Sequence, residues 1–325
     1  MNSFLFKNIS IIGLGLMGGS LAKSCKKNGL GENILGSDVD KTQEEFALKN
    51  KIIDQVVDFE KSPENDLIII CSALSSYGKI FQKITPIIGN KTLIIDIGSV
   101  KEFTLKIAKE ILGEKSKNFT PCHPIAGSEK SGIANSNDDL FVGKKTFICK
   151  GKENDENKIK KIEQFWQKIG SNTEFIDTKK HDKIYALVSH LPQFLAFAAK
   201  EYFQNGSDEI LNRHFRLQNS NPKMWQEIFD LNRINIDYYL QLFLKNIDEV
   251  IILLNEEKYQ KTRSERSILV SCFLNIPDIE NFQEYGGSGF KDFTAIATNP
   301  INPHVLSQSK ESLIQFLNNL KSKIS

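Results

Sequence analysis

From the N-terminus to about residue 178, short β-branched apolar runs alternate with longer amphipathic stretches. This alternation predicts repeated strand–helix units around a parallel sheet. Predicted strands cover residues 9–12, 33–37, 67–71, 92–96, 146–150 and 173–176, with helices beginning near Met17, Lys41, Ser76, Val100 and Glu156. The charged stretch 151–161 reads as a surface excursion within this half rather than a boundary. After Lys180 the period changes: apolar residues recur at helical spacing through 184–203 and 225–254, which predicts an all-helical second half. A tail that starts glycine-rich at 286–295 ends in an amphipathic helix over 311–324, and the glycine-rich part reads as a loop that closes over a site or over a dimer interface. The chain therefore divides into residues 1–178 and 179–325.

Composition agrees with two packed domains. Charged residues make up 25% and hydrophobic ones 40% of 325 residues, and 42 basic against 40 acidic side chains leave a net charge of +2. Such a balance offers no electrostatic footprint for nucleic acid or an anionic membrane, so a small-molecule partner is expected. No apolar stretch approaches 18 residues, and the first ten residues lack the build of a secretory signal, so a cytoplasmic protein is expected. Cys25, Cys71, Cys122, Cys149 and Cys272 are scattered without a CxxC pair. They read as reduced, mostly packing thiols, and no metal site is implied.

Chemistry enters where the first strand meets the first helix. Gly13-Leu14-Gly15-Leu16-Met17-Gly18 is a GxGxxG string that closes a strand and opens a helix. Gly13 would allow the tight turn, Gly15 the approach of a pyrophosphate, and Gly18 the packing of helix on sheet; with Leu16 and Met17 they form the expected cofactor turn. Asp38 follows Gly18 by 20 residues at the end of the second predicted strand, where a carboxylate accepts hydrogen bonds from the adenosine ribose hydroxyls and repels a 2′-phosphate. NAD is therefore expected over NADP. The fold class that follows is an α/β, Rossmann-type doubly wound sheet, followed by an all-α helical domain.

Three further strings stand at candidate site positions: Asp96-Ile97-Gly98-Ser99-Val100-Lys101, His123-Pro124-Ile125-Ala126-Gly127-Ser128-Glu129-Lys130-Ser131-Gly132, and Ser189-His190-Leu191-Pro192. Ser99 follows the predicted strand that ends at Asp96 and His123 follows the next apolar stretch, which puts both at the carboxyl edge of the sheet, where open α/β folds bind ligands. An imidazole there can take a hydroxyl proton as hydride leaves the same carbon. With the glycine turn, these strings resemble the prephenate/arogenate dehydrogenase family over residues 8 to about 255, HPIAGSEKSG being the most specific element. The resemblance implies His123 as general base and Ser99 as a hydrogen-bond partner of the substrate hydroxyl or the imidazole. It places Glu129 at the substrate entrance and His190 at the ring or its side-chain carboxylate, and matches Arg216 to an arginine that grips a substrate carboxylate.

The implied reaction is NAD-dependent oxidative decarboxylation of prephenate or arogenate in tyrosine biosynthesis, by a homodimer. The long apolar stretch 225–254 fits such pairing. Two rival readings carry less. A β-hydroxyacid or 6-phosphogluconate-type dehydrogenase shares the GLGLMG opening but needs a helix lysine and a middle motif that are not found. An NAD-sensing module without turnover would not need His123 and Arg216.

Overall fold

Among the described residues, nine strands form two sheets in the first half of the chain. The structure, a computed structural model, describes residues 4–58, 66–127, 130–151, 153–198, 217, 220–256, 265–298 and 310–324. Strands β1 (Phe6–Ile12), β2 (Gly31–Ser37), β3 (Gln55–Val56), β4 (Leu67–Ile70), β5 (Leu93–Asp96) and β6 (Phe119–Thr120) make a parallel sheet in the order β3-β2-β1-β4-β5-β6. All four residues of β4 and of β5 are buried, as expected of central strands covered on both faces. Helices α1 (Leu16–Lys27), α2 (Lys41–Lys49), α3 (Tyr77–Ile84) and α4 (Lys101–Leu112) connect them. The strand order reverses beside β1, and ligands bind at the carboxyl edge of such a switch point.

A second sheet follows, with β7 (Cys122–Pro124) antiparallel to β8 (Lys145–Cys149) and β9 (Asn172–Ile176) parallel to it. Here the structure differs from the sequence reading: His123 does not hang from the end of a strand of the main sheet but sits within β7, opposite Phe147. The stretch 151–161 is in part the start of helix α5 (Glu156–Lys168), whose first turn Asp155 caps by accepting from Asn157 and Lys158 N–H groups. One hydrophobic core joins β1 and α1 to Phe141, Ile162, Phe165 and Trp166.

The chain separates into two compact units, Met1–His181 and Asp182–Ser325. Helix α6 (Thr178–Tyr185) is continued by a π-helical turn, Ala186–His190, and by α7 (Leu191–Ala198). In the second unit a 23-residue helix, Arg233–Asn255, buries Tyr239, Phe243 and Ile247 at four-residue spacing. The glycine-rich tail segment, read from sequence as a closing loop, is instead a helix, Ser288–Thr298. Phe290 and Phe293 anchor it on Phe273 of the helix Glu265–Leu274, with ring centroids 6.1 and 5.2 Å apart. Among the described residues, no helix is long and apolar enough to cross a membrane.

Candidate active site

The turn between β1 and α1 is shaped by contacts that exclude side chains at two positions and leave a third open. Gly13 has φ +98°, and a Cβ there would lie 2.7 Å from the Cys71 carbonyl oxygen. A Cβ on Gly18 would stand 1.8 Å from the Gly13 carbonyl oxygen, so the helix rests directly on the turn. Gly15, by contrast, has nothing within 4 Å of its would-be Cβ. It caps α1 without a side chain, and the first turn of α1 carries no acidic residue. The first N–H groups of a helix have no partner within it, so this turn, with Leu16 and Met17 in it and open space beside Gly15, is suited to a pyrophosphate.

A cavity of about 920 Å³ adjoins the turn, lined by Gly13, Gly15, Asp38, Asp58 and the apolar side chains Val39, Val56, Val57, Ile80 and Ile84. Asp38 is fixed at its rim: Oδ2 accepts from Leu14 N–H at 2.6 Å and Oδ1 from Asp40 N–H at 2.9 Å. Each carboxylate oxygen retains a lone pair for a ribose hydroxyl. An apolar slot beside a fixed acid and a glycine cradle fits an adenine dinucleotide with an unmodified ribose.

His123 is half-buried, and its Nδ1 lies 2.9 Å from Nε2 of the fully buried His181. The two rings meet edge to face at 5.0 Å, and Phe147 also packs on His181, at 5.9 Å. Burial, and after it the charge of Lys101, holds His181 well below the usual imidazole range, so this ring is neutral near pH 7. Sequence reasoning missed His181. Its signal was helical spacing: His181, Ile184, Tyr185 and Val188 share one buried face, but no pattern reveals that a residue 58 positions away is its partner.

The backbone before His123 is held by a second feature that the sequence reading passed over. Lys101 and Asp96 form an ion pair at 2.6 Å with both side chains fully buried. Asp96 also accepts from Tyr77 O–H, Gly98 N–H and Cys122 N–H, each at 3.1 Å, while Lys101 donates to the Cys122 carbonyl at 2.8 Å. The end of β5, the start of α4 and the start of β7 are thus locked together. Ser99 is half-buried between them; the helix-capping position beside it belongs to Val100, which offers no side-chain cap. The residues just after the HPIAGSEKSG string are tied to α1 and α2. Asn137 N–H donates to Ser20 Oγ at 2.9 Å and Ile133 N–H to Gln43 Oε1 at 2.9 Å.

In the second unit His190 is fully buried at the end of the π-helical turn, beside Trp225 with ring centroids 6.1 Å apart. Asn232 Nδ2 donates to the Asp182 carbonyl at 2.8 Å and faces His190 Nδ1 at 2.9 Å, while its oxygen accepts from Asn235. Those two contacts set the amide orientation, so His190 accepts at Nδ1 and carries its proton on Nε2. In that tautomer Nε2 is a donor and not a base. Glu129 and Arg216 lie outside the described residues.

Comparison with known proteins bears on both units. Residues 21–175 match the family model for a prephenate dehydrogenase nucleotide-binding domain. Residues 177–265 match that for a prephenate dehydrogenase dimerization domain. A prephenate dehydrogenase of Bacillus subtilis is 27% identical over 268 residues, covering 77% of this chain and 70% of that protein. A cyclohexadienyl dehydrogenase of Zymomonas mobilis is 27% identical over 241 residues, 69% of this chain and 80% of that one. The crystal structure of a prephenate dehydrogenase from Aquifex aeolicus, in complex with hydroxyphenyl propionate and NAD+, superposes with a TM-score of 0.72. It shares 29% identity and covers 86% of this chain and 98% of that chain.

Proposed function

Because the chain belongs to the prephenate dehydrogenase family, we propose that its two units together carry out NAD-dependent oxidative decarboxylation of prephenate or arogenate in tyrosine biosynthesis. The observation that carries the reading is the pair His123–His181, which couples a reachable imidazole to a buried neutral one. A base that takes a proton at Nε2 must hold its own proton on Nδ1 and donate it. His181 Nε2 supplies the acceptor before and after proton transfer, so the basic lone pair of His123 is the one on Nε2.

NAD supplies the hydride acceptor. As hydride leaves the ring carbon, His123 takes the proton of the hydroxyl on that same carbon, with Ser99 hydrogen-bonding the oxygen. The electron pair of the ring carbon–carboxylate bond then enters the ring as CO2 departs, and the phenolate oxygen regains the proton held by His123. Aromatisation drives the step. The protein's share is orientation and charge placement rather than covalent catalysis. Purified protein mixed with NAD is expected to form NADH with prephenate, arogenate or both, and not with simple hydroxyacids; the reverse pattern would sink the reading.

Arg216 anchors a substrate carboxylate in this scheme, by resemblance to the family motif, with Glu129 at the entrance and His190 as a donor. Arg216→Ala is expected to raise KM by roughly 10- to 150-fold, the worth of a charge-assisted contact, and to leave NAD binding intact. Arg216→Lys restores part of the loss, because an ammonium lacks the two-pronged grip. An unchanged KM in Arg216→Ala would place the anchor elsewhere. The active form is a cytoplasmic homodimer. The match to a dimerization domain supports this, as do the exposed Ile234 and Tyr238, one turn apart on the long helix; a purely monomeric sedimentation profile at micromolar concentration would contradict it.

A further inference from the structure

We propose that Glu44 is a specificity-determining residue for the cofactor: it engages the ammonium of Lys41, and so denies a 2′-phosphate a rim cation close to Asp38. The inference rests on the NAD-dependent reading and extends it to a residue that touches no cofactor.

Glu44 sits on α2 with a side chain only 6% exposed, although it is a carboxylate. One oxygen accepts from Asp38 N–H at 2.9 Å and the other from Lys41 Nζ at 2.9 Å. Lys41 and Asp38 both line the cavity. A phosphate on the 2′ oxygen would land where Asp38 meets the ribose hydroxyls, and acceptance there needs a cation free to turn toward it. Lys41 is 74% exposed and long enough to do so. Its ammonium instead pairs with Glu44 on its own helix, and the negative charges of Asp38 and Asp58 add to Glu44 in favouring its charged form there. An exposed lysine pair three residues apart on a helix would hold weakly. Here one partner is buried, and a buried carboxylate without its cation is costly, so Glu44 retains Lys41 more firmly than a surface acid would.

Glu44→Gln separates this role from simple packing. The amide oxygen still accepts from Asp38 N–H, which turns the amide nitrogen, a donor, toward the ammonium, and one negative charge is lost from the corner. Binding of NADH and NADPH to the full-length protein is measured directly by fluorescence, alongside thermal unfolding. The expected result is a rise in relative affinity for NADPH over NADH of roughly three- to tenfold, with an unchanged melting temperature. Combining Lys41→Ala with Glu44→Gln reverses most of that rise. Two results would overturn the proposal: an unchanged NADPH-to-NADH ratio in a folded Glu44→Gln protein, or equal weakening of both cofactors with a lowered melting temperature, which marks a structural role. Wild-type protein that binds neither dinucleotide would instead remove the cofactor reading itself.

Discussion

Replacing His123 by asparagine is expected to lower kcat by about 100-fold or more while NAD still binds, since a positioned general base is worth roughly 10² to 10⁴ in rate. Asparagine keeps a polar group in β7 without a proton acceptor of suitable basicity. In the wild-type protein the rate rises with pH as one group near neutrality loses its proton, an imidazole ordinarily titrating near 6.5; in the variant that limb disappears. Turnover close to normal in His123→Asn would transfer the role of base to another residue. The contact with His181 adds a second arm. His181→Leu removes the acceptor for the Nδ1 proton, so kcat falls with little change in KM, and the pH limb moves. His181→Gln restores an acceptor oxygen and recovers part of the rate, which a side chain acting only as filling would not do.

The buried pair Lys101–Asp96 carries the largest expected effect on stability. Lys101→Met leaves the Asp96 carboxylate inside the fold without its cation, and breaking a buried pair in this way costs about 3–5 kcal/mol. Three hydrogen bonds to Asp96 remain, which places the expected loss toward the lower end of that range. The chain has two tryptophans, and Trp166 lies in the first unit. Fluorescence of Trp166 in a Trp225→Phe background therefore follows the affected unit through a urea titration. Asp96→Asn in the Lys101→Met background relieves the orphaned charge and regains part of the lost stability. A midpoint unchanged by Lys101→Met would show that the pair contributes nothing net.

Periodicity and turn chemistry revealed most of the first unit. Helices start at Leu16, Lys41, Tyr77, Lys101 and Glu156, each within a residue of the position expected from capping and apolar spacing. The strands that escaped notice are short: Gln55–Val56 and Phe119–Thr120 are two residues each, too brief to show alternation. Cys122–Pro124 contains a proline, which counts against a strand in sequence and is tolerated because this strand is at the edge of its sheet. The late segment 286–295 looked like a loop because three glycines cluster there, yet Phe290 and Phe293 dominate by burial. At the site, Gly13, Gly18 and Asp38 were legible because their roles are local. His181, Lys101 and Glu44 were not, since each acts through partners set by tertiary packing, and a charged side chain in sequence looks solvated until its burial is known.

The five cysteines, introduced as packing residues, also give the molecule a built-in clock. All are free thiols, and the thiolate is the reactive form. Burial pushes Cys122 and Cys272 up to about 12 and raises Cys25 as well, so alkylating reagents reach these sulfurs only when the surrounding structure opens. Labelling at Cys25 and Cys122 then times the opening of the nucleotide-binding unit, and labelling at Cys272 that of the helical one. Cys71 lies in the wall of the cavity, and burial raises its thiol too, so its labelling reports the opening of that wall.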